Sequence, residues 1–121
     1  MTGVHTCALP IYQLTIREKV GANYILLELS GAVNAYTISE FQEKVYSYIP
    51  DSNVVIDMAQ VIQLDSSGIG VVIAGYNDGE KFGTKLFIMN PSDAARHSLE
   101  RTGFLDTFNI IHSVTEVADA S

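Results

Sequence analysis

From Tyr12 onward the chain carries a regular pattern of apolar and polar positions. Leu14 and Ile16 alternate with Gln13, Thr15 and Arg17, the period-two signature of a strand with one buried face. Val20-Gly21-Ala22-Asn23 reads as a turn, and Tyr24 to Ser30 as a second strand with Ile25, Leu27 and Leu29 on one face, so an antiparallel hairpin is the economical pairing. Gly31 is expected to end that strand. Thr37 followed by Glu40 has capping-box spacing, and Ile38, Phe41, Val45 and Ile49 then recur at helical spacing until Pro50 stops the helix. The β-branched run Val54-Val55-Ile56 predicts a strand covered on both faces, at the middle of a sheet.

A loop holding Val61 and Leu64 is expected next, with Asp57 ending the strand before it. Asp65-Ser66-Ser67-Gly68 opens a second helix, with Ile69, Val72, Ile73 and Tyr76 as its apolar stripe. Gly75 and Gly79 each cost such a helix roughly 1 kcal/mol relative to Ala, which points to close packing, and Gly83 is placed as its C′ residue. Lys85 to Met89 is the next strand. Pro91-Ser92 opens a third helix with Ala95 and Leu99 inward and Gly103 in a left-handed cap. Phe108 to Ile111 is a short strand, and Ser113 with Glu116 starts a terminal helical turn or two. The order β-β-α-β-α-β-α-β-α requires parallel pairing through right-handed crossovers, with the hairpin adding an antiparallel edge. The class is α/β, one domain with a mixed sheet of four to five strands and about four helices.

The segment before this pattern, Met1 to Ile11, has no period and no capping logic. It resembles the translated readout of a sequencing-library adapter, and it is expected to be non-native or disordered, with the domain spanning residues 12–121 and His5 and Cys7 carrying no function.

Composition narrows the function. Of 121 residues 47% are hydrophobic and 17% charged, enough apolar surface for a core and too few charges for an acidic disordered tail. The net charge of −7, without a Lys/Arg cluster, disfavours nucleic acid and anionic membrane surfaces as partners. Apolar runs such as Val71 to Ala74 fall far short of the roughly 20 residues that cross a bilayer. One Cys forms no internal disulfide and no Cys/His spacing suits a metal, so a reducing cytoplasm is the expected setting and no metal or cofactor is expected.

No catalytic constellation is complete. Gly68-Ile69-Gly70 lacks the third glycine of a dinucleotide fingerprint, and Tyr76 stands where a phosphate-binding loop requires Lys. His97 and His112 belong to no nucleophile motif. Asp57 and Asp65 could pair as carboxylates, but strand-end and cap positions account for both. Asp65-Ser66-Ser67-Gly68 itself reads either as a plain N-cap, whose oxygens accept orphan backbone N–H bonds, or as a phosphoacceptor site, since a helix N-terminus tolerates a phosphate ester without loss of the fold.

The run Val54-Val55-Ile56-Asp57-Met58, the loop with Val61 and Leu64, Asp65-Ser66-Ser67-Gly68-Ile69-Gly70-Val71, the Gly83-x-Lys85-Leu86 turn and the closing Arg101-Thr102-Gly103-Phe104-Leu105 follow one another over nearly the whole chain. In order and spacing they resemble the STAS domain, in particular the small stand-alone anti-sigma factor antagonists of bacteria. The resemblance implies a non-enzymatic, phosphorylation-switched binding module. Ser66 would be the phosphoacceptor of an anti-sigma factor serine kinase, which the unphosphorylated form sequesters so that a sigma factor is freed. Asp65 would orient the loop, Ser67 and Gly68 would cap and shape the helix start, and these residues with Ile69 and Asn34 would meet the partner. Where the family usually reads Gly-Glu-x-Asp, this chain has Gly31-Ala32-Val33-Asn34, with both acidic positions neutral. A STAS-type regulatory subunit of a membrane transport system is the alternative reading.

Overall fold

The computed structural model describes residues 13–103 and 105–120, so the expectations for residues 1–11 and for Phe104 lie outside the described residues. Strand β1 (Leu14–Val20) and strand β2 (Tyr24–Val33) form the antiparallel hairpin, in register from Leu14↔Gly31 to Val20↔Ile25. Strands β3 (Asn53–Leu64), β4 (Leu86–Met89) and β5 (Asn109–Ile111) add in parallel, and the sheet order is β1-β2-β3-β4-β5. The run Val54-Val55-Ile56 lies at the sheet's middle, with Val54, Val55 and Ile56 all fully buried.

Helices α1 (Ile38–Tyr48), α2 (Ser66–Phe82) and α3 (Asp93–Arg101) connect successive parallel strands, and α4 (Thr115–Ala120) follows β5. Right-handed crossovers that always step in the same direction along a sheet place their helices on one face. Accordingly Phe41, Val45, Ile49, Val71, Val72, Ala95 and Leu99 pack with Leu27, Leu29, Val54, Ile56, Met58, Leu86 and Ile88 into one large core. The opposite face is apolar only where α4 covers it: Leu26, Val55, Phe87, Met89 and Ile111 cluster with Val117. Over β1 and β2 that face is polar, and it opens into a cavity of about 430 Å³ lined by Thr15, Arg17, Glu28 and Asp57.

Several local expectations are corrected. Gly31 does not end β2; it continues the strand with φ +117°, paired to Leu14, and Val33 reaches Leu64 of β3. Val61 and Leu64 lie on β3 rather than in a loop, and Asp57 sits within the strand, its carboxylate accepting the Ala59 N–H at 3.0 Å. Register shifts at Glu28/Ser30 and Gly31/Ala32 break the period-two pattern that would have marked this extension as strand. The Thr37 hydroxyl makes no helix-capping bond; it donates to the Ala32 carbonyl (2.8 Å) and accepts the Asn34 N–H (3.0 Å), which ties the loop to β2.

The buried stripe of α2 is Gly68, Val71, Val72, Gly75 and Gly79, with Ile69, Ile73 and Tyr76 half-buried on its flank. A Cβ on Gly75 would stand 2.8 Å from Val45 of α1, so the bare backbone allows the two helices to approach. Gly83 caps α2 at φ +81°, the Ser92 hydroxyl caps α3 by accepting the Ala95 N–H at 3.1 Å, and Gly103 follows at φ +78°, all as the sequence predicts. The Glu116 carboxylate accepts the Ser113 N–H at 3.1 Å, the return arm of the expected capping box before α4.

The edge strand β1 is fastened to α1 by a polar cluster. The Glu18 carboxylate accepts from the Lys44 ammonium at 3.0 Å and from the Tyr48 hydroxyl. The Tyr48 hydrogen bond, then Lys44, hold Glu18 below the usual carboxylate range, while Glu18 raises both Lys44 and Tyr48. A lowered acid stabilises the fold above its unfolded pKa and loses that contribution as pH falls through the folded value. Raised Lys and Tyr contribute below their unfolded values and lose it as pH rises through the folded ones. The latch is therefore full between mildly acidic and mildly alkaline pH, and weak because it is solvent-exposed. Glu18→Gln is expected to lower the melting temperature slightly at pH 7 and not at pH 3, a convergence that thermal melts across pH would show.

Candidate functional site

The C-terminal ends of β2 and β3 deliver two loops to the same edge of the sheet. Asp65, the residue after β3, takes an extended conformation (φ −97°, ψ −173°), donates its N–H to the Val33 carbonyl of β2 at 3.1 Å, and accepts the Ile69 N–H on its own carbonyl at 3.0 Å. Its carboxylate accepts the N–H groups of Ser67 (2.9 Å) and Gly68 (3.3 Å). An Asp that caps a helix in this way satisfies two of the orphan donors and complements the positive end of the helix dipole. The start of α2 is thereby pinned to the sheet by backbone and side chain together.

The two serines then separate. Ser66 opens the helix and is exposed, and its hydroxyl has no hydrogen-bond partner among the described residues. Ser67 is half-buried with its amide committed to Asp65. Gly68 is buried, and a Cβ there would come within 2.5 Å of both Leu64 and Val33, so its role is close approach of α2 to the strand ends. Ile69 is half-buried, packs against the main core, and with Leu64 lines an open groove of about 360 Å³ beside Ser66.

Asn34 belongs to this edge but turns inward. It is 6% exposed; its amide nitrogen donates to Gln63 Oε1 at 2.9 Å and its Oδ1 accepts the Tyr36 N–H at 2.9 Å. The side chain shapes the β2–α1 loop and fastens it to β3. Removing it deletes both of these buried hydrogen bonds, so Asn34→Ala is expected to cost about 1 to 2 kcal/mol. A lowered urea midpoint at unchanged slope would register that loss.

Periodicity did not single out two residues at this edge. Tyr36, 79% exposed in the β2–α1 loop, has the character of an interface anchor. Its only sequence signal is an aromatic outside any apolar period. Arg101, at the end of α3, lines the groove opposite Ser66 together with Ser98. Their i, i+3 spacing puts them on one side of α3, but which element that side faces is a tertiary fact.

The remaining candidates are not assembled. Asp57 lines the polar cavity on the far face, whereas Asp65 caps α2, so the two carboxylates serve different places. His97 is exposed on α3, and His112 is exposed beyond β5, where its Nδ1 lies 3.3 Å from Asn90 Oδ1. Among the described residues no group of three or more His, Cys, Asp or Glu side chains is placed to hold a metal ion.

Comparison with known proteins gives a consistent result. An anti-sigma-B factor antagonist from Listeria monocytogenes is 26% identical over 99 residues, covering 80% of this chain and 86% of that protein. The crystal structure of an anti-sigma factor antagonist from Mycobacterium paratuberculosis shares the fold with a TM-score of 0.74 at 21% identity, covering 90% of this chain and 94% of that one. The phosphorylated form of the Bacillus cell fate determinant SpoIIAA superposes with a TM-score of 0.67 at 18% identity, covering 89% and 98%. The sequence model of the STAS domain matches residues 13–117, nearly all of the α/β unit, and the chain belongs to the STAS domain family.

Proposed function

We propose that this protein is an anti-sigma factor antagonist, a binding module switched by phosphorylation of Ser66. In the unphosphorylated form it binds an anti-sigma factor serine kinase and so frees a sigma factor. The observation that carries the reading is the exposed, unbonded Ser66 hydroxyl on the first turn of a helix whose start is fixed by Asp65. A kinase needs an accessible hydroxyl, and a fold that keeps its shape when charge is added there supplies a reversible switch. The named function of the Listeria relative supports the same reading.

The geometry supports a role for each residue of the site. Asp65 holds the loop, Ser67 donates its amide to Asp65, Gly68 seats the helix on the strand ends, and Ile69 offers apolar surface beside Ser66. Asn34 acts from beneath, by holding the loop that presents Tyr36. The protein needs no cofactor for this and performs no catalysis of its own; the chemistry is the kinase's. No helix among the described residues is long and apolar enough to cross a membrane. A cytoplasmic setting is the one in which a sigma factor and its regulators meet. The test is incubation with the purified anti-sigma factor kinase and ATP, followed by mass-spectrometric mapping. Phosphate on Ser66 is the expected result, and phosphate on Ser67 or no transfer at all overturns the assignment.

A further inference from the structure

The last turn of α3 faces the first turn of α2 across the groove of about 360 Å³. Asp65 and Ser66 line it from α2 and Ser98 and Arg101 from α3, with Leu64 and Ile69 as its apolar part. Arg101 is the only cation among these lining residues and Asp65 the only anion. The two charges are differently employed. Asp65 already accepts two helix N–H groups, while exposed Arg101 forms no ion pair with any described residue. A basic residue in a last turn is modestly favoured by the helix dipole, which explains its sign but not the open groove between it and a solvent-facing serine.

A phosphoryl group on Ser66 would place about −1.5 to −2 charge next to the Asp65 carboxylate, in a protein whose net charge is already −7. Within the groove Arg101 is the group that can offset it. A guanidinium presents a planar fork of N–H donors that matches two phosphate oxygens at once.

We infer that Arg101 receives the phosphoryl group of modified Ser66 within the same chain, spanning the groove between α2 and α3. Ser98 stands on the same wall as a neutral hydroxyl donor. Phosphorylation then does two things: it adds charge at Ser66, and it fills the groove that Leu64 and Ile69 leave open in the unmodified form. Arg101 is a positioning residue, acting on the modified state alone. The inference rests on Ser66 as the phosphoacceptor, but its test does not pass through the kinase.

The experiment installs phosphoserine at position 66 during translation and follows the second ionisation of the phosphate by ³¹P NMR across pH, in the wild-type background and with Arg101→Gln or Arg101→Lys. A cation in contact with the phosphate favours the dianion, so the wild-type midpoint is expected to lie at least about half a unit below that of Arg101→Gln, roughly threefold in the acid constant. Arg101→Lys, which keeps the charge and loses the fork, is expected to fall between them. The gap should narrow in about 1 M salt, where the screening length drops to about 3 Å. A purely structural role for Arg101, such as its dipole interaction, would change thermal stability of the unmodified protein and leave the titration where it was. Identical midpoints in wild type and both variants overturn the inference. If the kinase instead modifies another residue, the functional proposal fails while the titration still decides whether Arg101 holds a phosphate on Ser66.

Discussion

Phosphorylation of Ser66 is expected to weaken binding to the kinase partner by about thirty- to several-thousand-fold while leaving the fold intact. The lower and upper bounds come from the cost of placing a mismatched charge in an interface, roughly 2 to 5 kcal/mol, at about 1.4 kcal/mol per decade of affinity. A surface that fits a neutral hydroxyl must strip water from a dianion without offering it donors. The fold survives because the Ser66 side chain is exposed and hydrogen-bonded to no described residue, so nothing internal is lost when it is modified. Ser66→Ala is expected to bind constitutively and refuse phosphate, Ser66→Asp to weaken binding partly, and Ser67→Ala to accept phosphate still. Isothermal titration of modified and unmodified protein against the partner measures the change, and equal affinities would sink the switch.

Gly31→Val is expected to be the most damaging single substitution to the fold at this edge. Gly31 has φ +117°, a conformation that L side chains rarely adopt, and a Cβ there would stand 2.4 Å from the Gln13 carbonyl oxygen. The obstacle is backbone, which cannot rotate aside as a side chain can. Strain of about 1 to 3 kcal/mol for the dihedral, with a further 1 to 3 kcal/mol for the forced overlap, gives roughly 2 to 6 kcal/mol. The damage should propagate toward the site, since Val33, two residues on, accepts the Asp65 N–H and packs beneath Gly68. Chemical denaturation together with partner binding would measure both effects. A variant as stable as wild type would mean that β1 can shift its pairing at no cost.

These two residues also mark what the sequence makes legible. Caps are local, and Asp65, Ser92, Gly83 and Gly103 were each readable because the helix end they serve lies within four residues of them. Element order was readable too, since the hydrophobic period changes at each boundary between strand and helix and the Gly21 turn separates the first two strands. The second half of β3 was not, because its register shifts displace Val61 and Leu64 from any simple alternation. Thr37 departs from its local pattern for a related reason: its spacing to Glu40 fits a capping box, but the hydroxyl finds better partners at Ala32 and Asn34. Ser66 was visible as a motif residue, whereas its exposure, the inward turn of Asn34 and the approach of Arg101 across the groove depend on how three separate elements pack.

The sheet's plain sequential order, β1-β2-β3-β4-β5, bears on how the protein is made. Every strand leaving the ribosome finds its neighbour already synthesised, and no later strand has to insert between two earlier ones. Assembly can advance in the direction of translation, with the hairpin as the first unit and each βα addition covering the exposed edge of the last. The growing edge moves along with synthesis, which limits the time any one edge stands open to a wrong partner. It comes to rest at β5, a strand of three residues, with α4 covering the apolar part of the second face. Amide exchange should therefore be fastest at the short last edge, β5, and slowest in β3, which is paired on both sides at the middle of the sheet.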